Sequence, residues 1–226
     1  MSRVVLKLGG RVATQAAAQA LALRAEGHDV VVHGAGPQIS AEMERRGIVP
    51  AFVDGRRVTT PEVLEVVRAS LAEVNAEVCS AIGPMALPLF GDGAGLRATQ
   101  VEALGLVGTP VATVPAAVEA ALAAGRIPVV APLGAREEDG QPLNVNADEA
   151  AAALAVGLRA ERILFVSDVP GVLVAGAVAL HIGADDAARM LGDGTFEGGI
   201  VPKLEAALLA ARGGVSARIG STEVVA

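Results

Sequence analysis

Residues 4–10 read Val4-Val5-Leu6-Lys7-Leu8-Gly9-Gly10. A short β-branched and aliphatic run is a strand too buried to alternate with polar residues. It carries one lysine near its end and then meets two glycines. Glycine lets a backbone approach an oxyanion closely and present its N–H groups to it. Lysine adds a flexible point charge. The same pattern returns at Asp29 to Gly36, DVVVHGAG, followed by Pro37 and a helix predicted over Gln38 to Arg46. Strand, glycine turn and helix, repeated, predict a mostly parallel sheet with both faces covered.

Composition sets outer bounds. The 226 residues suffice for one sizeable α/β unit or two small lobes. Hydrophobic residues make up 52%, enough for a large core and too many for wholesale disorder. Four Phe, no Trp and no Tyr leave no stacking platform for single-stranded nucleic acid. A net charge of −7 argues against a nucleic-acid-binding surface. The single cysteine, Cys79, rules out an internal disulfide and a cysteine-based zinc site, and its apolar helical surroundings read as packing. The start of the chain lacks a signal-peptide pattern, and no run approaches a membrane span. A cytoplasmic protein without membrane partners is expected.

Further along, a helix is predicted over Ala16 to Ala25. A hairpin is predicted over 49–60 with its turn at Asp54-Gly55. Thr60 and Pro61 open a long helix to about Ala81, as cap and first-turn proline. Leu87 to Gly91 reads as a strand, GDGAG as a turn and 95–115 as an edge hairpin. A helix over Pro115 to Ala124 and a strand over Ile127 to Gly134 follow. The polar REEDGQ loop marks a boundary between an N-terminal lobe, 1–138, and a C-terminal lobe, 139–226. Asn146 to Leu158 reads as a helix and ILFV as a strand. A helix starts around Pro202, and GVSARIG is the last strand.

Several residues carry chemistry on one reading and plain structure on another. Lys7, Gly9 and Gly10 form either a phosphate cradle or a surface lysine beside a tight turn. Gly34, Ala35 and Gly36 end a second strand, where open parallel sheets bind ligands, yet they serve equally as a turn. GxGxxG fails there because the third glycine is Ile39. His33 is a packed histidine or a base. Arg57 is a solvated arginine or a carboxylate clamp, with Arg56 as its competitor. Asn144 and Asp148 cap and charge-match a helix start, or they bind substrate and orient cations. Lys203 stands at a helix start, where a cation opposes the helix dipole, so a structural account is poor. The chain has no P-loop and no protein-kinase motif set.

Taken together and in order, VVLKLGG, VVHGAG, DGRRVTTPEV, PLNVNADEAAAALA, ILFVSDVPGVL and GGIVPKLEAA resemble the amino acid kinase family, and within it the acetylglutamate kinase branch. The resemblance spans almost the entire chain. It implies a three-layer αβα sandwich around a mostly parallel central sheet. It implies transfer of a phosphoryl group from ATP, with Mg2+ carried by the nucleotide, to the side-chain carboxylate of N-acetyl-L-glutamate, a step of arginine biosynthesis. In this light Lys7 and Lys203 resemble the lysines that stabilise the transferring group, and Asp148 the residue that organises them. Gly34, Ala35, Gly36, Arg57 and Asn144 correspond to the acylamino-acid contacts. Gly9, Gly10, Asp168, Val169, Pro170, Gly171, Val172, Leu173, Thr195, Phe196 and Glu197 correspond to the nucleotide contacts. No protein-bound metal is implied, and a homodimer is expected. Ala35 departs from the family's glycine at that point. Two alternatives stand beside this reading: a kinase for glutamate or aminoadipate attached to an amino-group carrier protein, and a ligand-binding regulator without catalysis.

Overall fold

The computed structural model describes residues 3–9, 28–166 and 169–226. Its strands are β1 (Arg3–Leu8), β2 (His28–His33), β3 (Phe52–Val53), β4 (Arg56–Arg57), β5 (Ala86–Phe90), β6 (Arg97–Gln100), β7 (Val107–Pro110) and β8 (Ile127–Ala131). The rest are β9 (Leu133–Arg136), β10 (Pro142–Val145), β11 (Arg162–Val166), β12 (Leu173–Val174), β13 (Ala177–Val178), β14 (His181–Gly183), β15 (Ser216–Ile219) and β16 (Thr222–Val225). The helices are α1 (Gly36–Arg45), α2 (Pro61–Ile82), α3 (Gly91–Ala94), α4 (Ala116–Ala123), α5 (Ala147–Gly157), α6 (Ala184–Gly192) and α7 (Ile200–Arg212). The predicted helix over Ala16 to Ala25 lies outside the described residues.

Among the described residues, eight strands form one sheet in the order β14-β16-β15-β11-β1-β2-β8-β5. Every neighbouring pair is parallel except the β15–β16 hairpin. The α/β sandwich expected from the sequence is therefore present. β1 sits in the middle, between β11 and β2, and its side chains alternate between two cores. Leu6 and Leu8 pack with Val31, Val129 and the apolar stripe of α1 and α2. Val5 packs on the opposite face with Ile163, Phe165 and the alanine-rich α5 and α7. Lys7 shares the face of Val5 by the same alternation, so the strand aims a cation towards α5 rather than towards α1.

Thr60 caps α2 by accepting from the Val63 N–H at 3.3 Å, and Pro61 occupies the first turn. The 49–60 hairpin forms as β3–β4, with Asp54 and Gly55 both at positive φ. Other expectations needed correction. GDGAG is a short helix, α3, rather than a turn. The 95–115 segment does form an antiparallel hairpin, β6–β7, but within a closed four-stranded barrel, β10-β7-β6-β9, rather than at a sheet edge. Ile127 to Gly134 is two strands, β8 in the sheet and β9 in the barrel, parted at Pro132, which cannot donate to a ladder. The polar REEDGQ segment is a loop as read, forming the turn between the paired strands β9 and β10. Helix α6 and the hairpins β12–β13 and β15–β16 were not read from the sequence.

Among the described residues no helix is long and apolar enough to cross a membrane. The small barrel closes because glycines remove side chains where strands meet. A Cβ added at Gly134 would lie 2.6 Å from the Ala98 Cβ and 3.1 Å from Val145 Cγ2. Gly134→Ala should therefore lower stability by about 1–3 kcal/mol through overpacking. Ala98→Gly in the same chain should recover part of that loss, as read by urea unfolding.

Candidate active site

Asp148 is the meeting point of the site. Asn146 ends the barrel strand β10 region in extended conformation and caps α5, accepting from the N–H of Asp148 at 2.8 Å and of Glu149 at 3.3 Å. The cap is thus Asn146 and not Asn144. It places Asp148 in the first helical turn, where the helix dipole favours a carboxylate. Lys7 Nζ lies 2.8 Å from Asp148 Oδ1, and both side chains are almost fully buried. Lys203 Nζ, from the first turn of α7, lies 3.9 Å from Asp148 Oδ2 and donates to the Gly199 carbonyl at 3.2 Å. Two lysines from distant elements therefore share one carboxylate.

A cleft of about 220 Å³ opens beside this triad. Its lining includes Lys7, Gly34, Ala35, Gly36, Arg57, Asn144 and Asp148, so every residue predicted to contact the acylamino acid borders one space. Gly34 follows β2 with its N–H bonded to the Leu8 carbonyl at 3.0 Å. Ala35 is the residue preceding α1 and makes no side-chain cap, and the α1 start borders the cleft through Ala35 and Gly36. A Cβ at Gly36 would meet no protein atom within 4 Å.

Arg57 leaves β4 and turns towards α1. Its Nη2 donates to Ser40 Oγ at 2.8 Å and to the Gly36 carbonyl at 3.3 Å, and its Nη1 lies 3.1 Å from Met43 Sδ. The Phe52 ring stands 4.6 Å from the guanidinium carbon. Burial lowers the Arg57 pKa from its ordinary value. Asn144 Nδ2 donates to Thr59 Oγ1 at 3.0 Å, and that hydroxyl donates to the Arg57 carbonyl at 2.8 Å. The fully buried Thr59 so ties the two candidate substrate residues together. Its backbone is held against Leu104 and Leu106, with Gly105 at positive φ between them, where a Cβ would come within 2.5 Å of the Thr59 carbonyl oxygen. Thr59 was missed in the sequence. Its place in GRRVT is the only signal that could have raised it.

The other described candidates lie apart from this cleft. Gly9 donates its N–H to the Val166 carbonyl at 3.3 Å. Gly10 and Asp168 lie outside the described residues. Val169 to Leu173 follow β11. Val172 is buried with its N–H donated to Thr222 Oγ1 at 2.8 Å, Ser221 N–H bonds the Pro170 carbonyl at 2.8 Å, and Leu173 is exposed on β12. Gly171 has φ 156, and a Cβ there would meet Thr222 Oγ1 and Val178 Cγ1 at 2.7 Å. Thr195, Phe196 and Glu197 link α6 to α7, with Phe196 packed against the core and its two neighbours exposed. None of the described residues among them lines the cleft described above. Among the described residues no group of three or more His, Cys, Asp or Glu side chains could hold a metal ion.

Two cations, an arginine fork and an uncapped helix start around one cleft suit an anionic ligand. Residues 2–221 match the description "Amino acid kinase family". The chain belongs to that family. It is 42% identical over 240 residues to the acetylglutamate kinase of Salinispora tropica, covering 96% of this chain and 80% of that protein. It is 40% identical to the acetylglutamate kinase of Gluconobacter oxydans, covering 84% and 71%. The crystal structure of smu.665 from Streptococcus mutans superposes with a TM-score of 0.89 at 28% identity, covering 99% of this chain and 98% of that one. A carbamate kinase from Giardia lamblia bound to AMP-PNP, at 14% identity and a TM-score of 0.75 over 99% and 98% of the chains, shares the fold.

His33, just before the cleft, is a packed histidine. It is 1% exposed. Asn75 Nδ2 donates to the Val129 carbonyl at 2.9 Å and lies 3.0 Å from His33 Nε2, which leaves the ring proton on Nδ1. Cys79 Sγ donates to Asn75 Oδ1 at 3.4 Å, and burial raises that thiol's pKa. Burial pushes His33 down to about 4, partly offset by a backbone hydrogen bond at Gly34. The ring is thus neutral when folded and takes a proton near pH 6.5 when unfolded. Its contribution to stability is fully present above pH 6.5 and is lost as pH falls towards about 4. His33→Gln should flatten the fall in unfolding free energy between pH 6.5 and 4.5, measured by urea titration at each pH.

Proposed function

We propose that this amino acid kinase transfers the γ-phosphoryl group of ATP to the side-chain carboxylate of N-acetyl-L-glutamate, giving an acyl phosphate. The observation that carries the reading is Asp148 between Lys7 and Lys203, at 2.8 and 3.9 Å, beside a cleft walled by Arg57 and Asn144. The names of the relatives at about 40% identity support the acyl acceptor.

A carboxylate acceptor is ionised at neutral pH, so no general base is needed. The work left for the protein is alignment and neutralisation of charge on the transferring group. Lys7 and Lys203 would face the phosphoryl oxygens, and Asp148 would hold the two ammonium groups at a fixed spacing. Arg57 would take the substrate's α-carboxylate with its remaining donors, and Asn144 would hydrogen-bond the acylamino group. The uncapped start of α1 would receive an anionic oxygen. Magnesium arrives with ATP as part of the substrate. Residues 1–138 would bear most of the acylamino-acid contacts. Residues 139–226 would bear the nucleotide contacts, from Val169 to Leu173 and Thr195 to Glu197, and Asn144 would reach back across the division.

The test is turnover with MgATP, trapping acyl phosphate as hydroxamate. N-acetyl-L-glutamate should give hydroxamate and free glutamate should not. Absence of product from both, in protein that still binds ATP, would move the reading to a carrier-bound substrate or to a regulator. Lys203→Ala should lower kcat by roughly 10²–10³-fold with little change in KM, the loss expected for transition-state charge stabilisation. Lys7→Ala would strand a buried carboxylate and destabilise the fold as well, so Lys203 is the cleaner probe. Arg57→Lys keeps the charge but loses the fork, and it should raise KM for the acylamino acid more than it lowers kcat.

A further inference from the structure

The first turn of α5 carries two consecutive carboxylates with different partners. Asp148 faces Lys7. Glu149, turned about 100° further round the helix, meets Arg56 of β4. Arg56 Nη2 lies 2.9 Å from both Glu149 carboxylate oxygens. Nη1 of the same guanidinium donates to Thr109 Oγ1 of β7 at 2.9 Å. One side chain thus ties a hairpin, a helix and a barrel strand together. The pair is largely shielded, with side chains 26% and 16% exposed. Burial raises the Glu149 carboxyl, and Arg56 draws it back.

The β3–β4 hairpin needs such ties. Phe52 and Val53 are exposed, and the turn uses two positive-φ residues. Consecutive strand residues point to opposite faces, and here Arg57 reaches α1 while Arg56 reaches α5. The hairpin, whose Phe52 and Gly55 line the cleft, is fixed at both rims. Nothing in the phosphoryl chemistry above uses Glu149.

We infer that the Arg56–Glu149 pair is a positioning device for the acylamino acid. It sets the hairpin, and with it Arg57, at a fixed distance from the helix that carries Asp148. The inference rests on the acylamino-acid reading of the cleft. With one tie cut, the hairpin occupies its binding position for only part of the time. Apparent affinity then falls by that fraction while the chemistry of bound substrate persists.

Glu149→Gln and Arg56→Met should each raise KM for N-acetyl-L-glutamate roughly tenfold, leave kcat within about threefold and leave KM for ATP unchanged. Arg56→Lys, with charge but no fork, should fall between Arg56→Met and the parent. The exchanged pair, Arg56→Glu with Glu149→Arg, should recover most of the loss. Hydrogen–deuterium exchange of the amides of residues 52–57, measured without ligand, should speed up in both single variants. That readout needs no substrate. Absence of turnover by the parent would overturn the proposed acceptor and leave the exchange result to judge the tie. Unchanged exchange, a fall in kcat at constant KM, or an exchanged pair no better than the single variants would overturn the inference.

Discussion

The constraint on which the rest of this structure depends is the buried contact between Lys7 and Asp148. Each charge is nearly removed from water, and each alone would be costly to leave there. Their pairing requires β1 to sit centrally, its odd-numbered side chains to face α5, and α5 to begin where β10 leaves the barrel. A register shift of one residue in β1 would turn Lys7 into the apolar core of α1 and α2 and turn Leu6 and Leu8 out of it. The ion pair therefore acts as a marker of register as well as a source of charge. The remaining oxygen of Asp148 is the one that Lys203 approaches, at 3.9 Å.

Three residues in the first turn of α5 divide the labour. Asn146 closes the helix start, Asp148 addresses the lysines and Glu149 addresses the hairpin. A helix start is suited to this because its free N–H groups and dipole favour the carboxylates gathered there. The polyalanine that follows, Ala150 to Ala153, is buried to the last methyl group. Small side chains let α5 lie close to β1 and α7, and the lysines of those elements then reach a common point.

Much of this was legible in the sequence because it is local. The valine and leucine runs announced buried parallel strands. Thr60-Pro61 announced the start of α2, and Asp54-Gly55 announced the hairpin. The residues around the cleft were legible only through their motifs, since nothing in a linear string brings Arg57 within reach of Ser40 or Asn144 within reach of Thr59. The barrel was not legible. Its four strands are short, and one of them, β9, was read as one strand with β8 because Pro132 interrupts a continuous apolar stretch without changing its composition. Helix α6 was passed over because its two early aspartates and its position among glycines resemble a loop. The role of Asn146 was masked by Asn144, two residues earlier and equally able to cap. The choice between them is made by where β10 ends.

The central place of β1 has a consequence for how the protein is made. On one side β1 pairs with β2, which follows it within the first thirty-three residues. On the other side its partner is β11, Arg162–Val166. At ordinary rates of translation the ribosome needs on the order of ten seconds to pass between them. During that interval the edge of β1 that will pair with β11 has no partner strand from its own chain. Such an edge is an invitation to pair with a stranger. The strand that holds Lys7 against Asp148 in the finished molecule is thus also an open edge in the nascent chain.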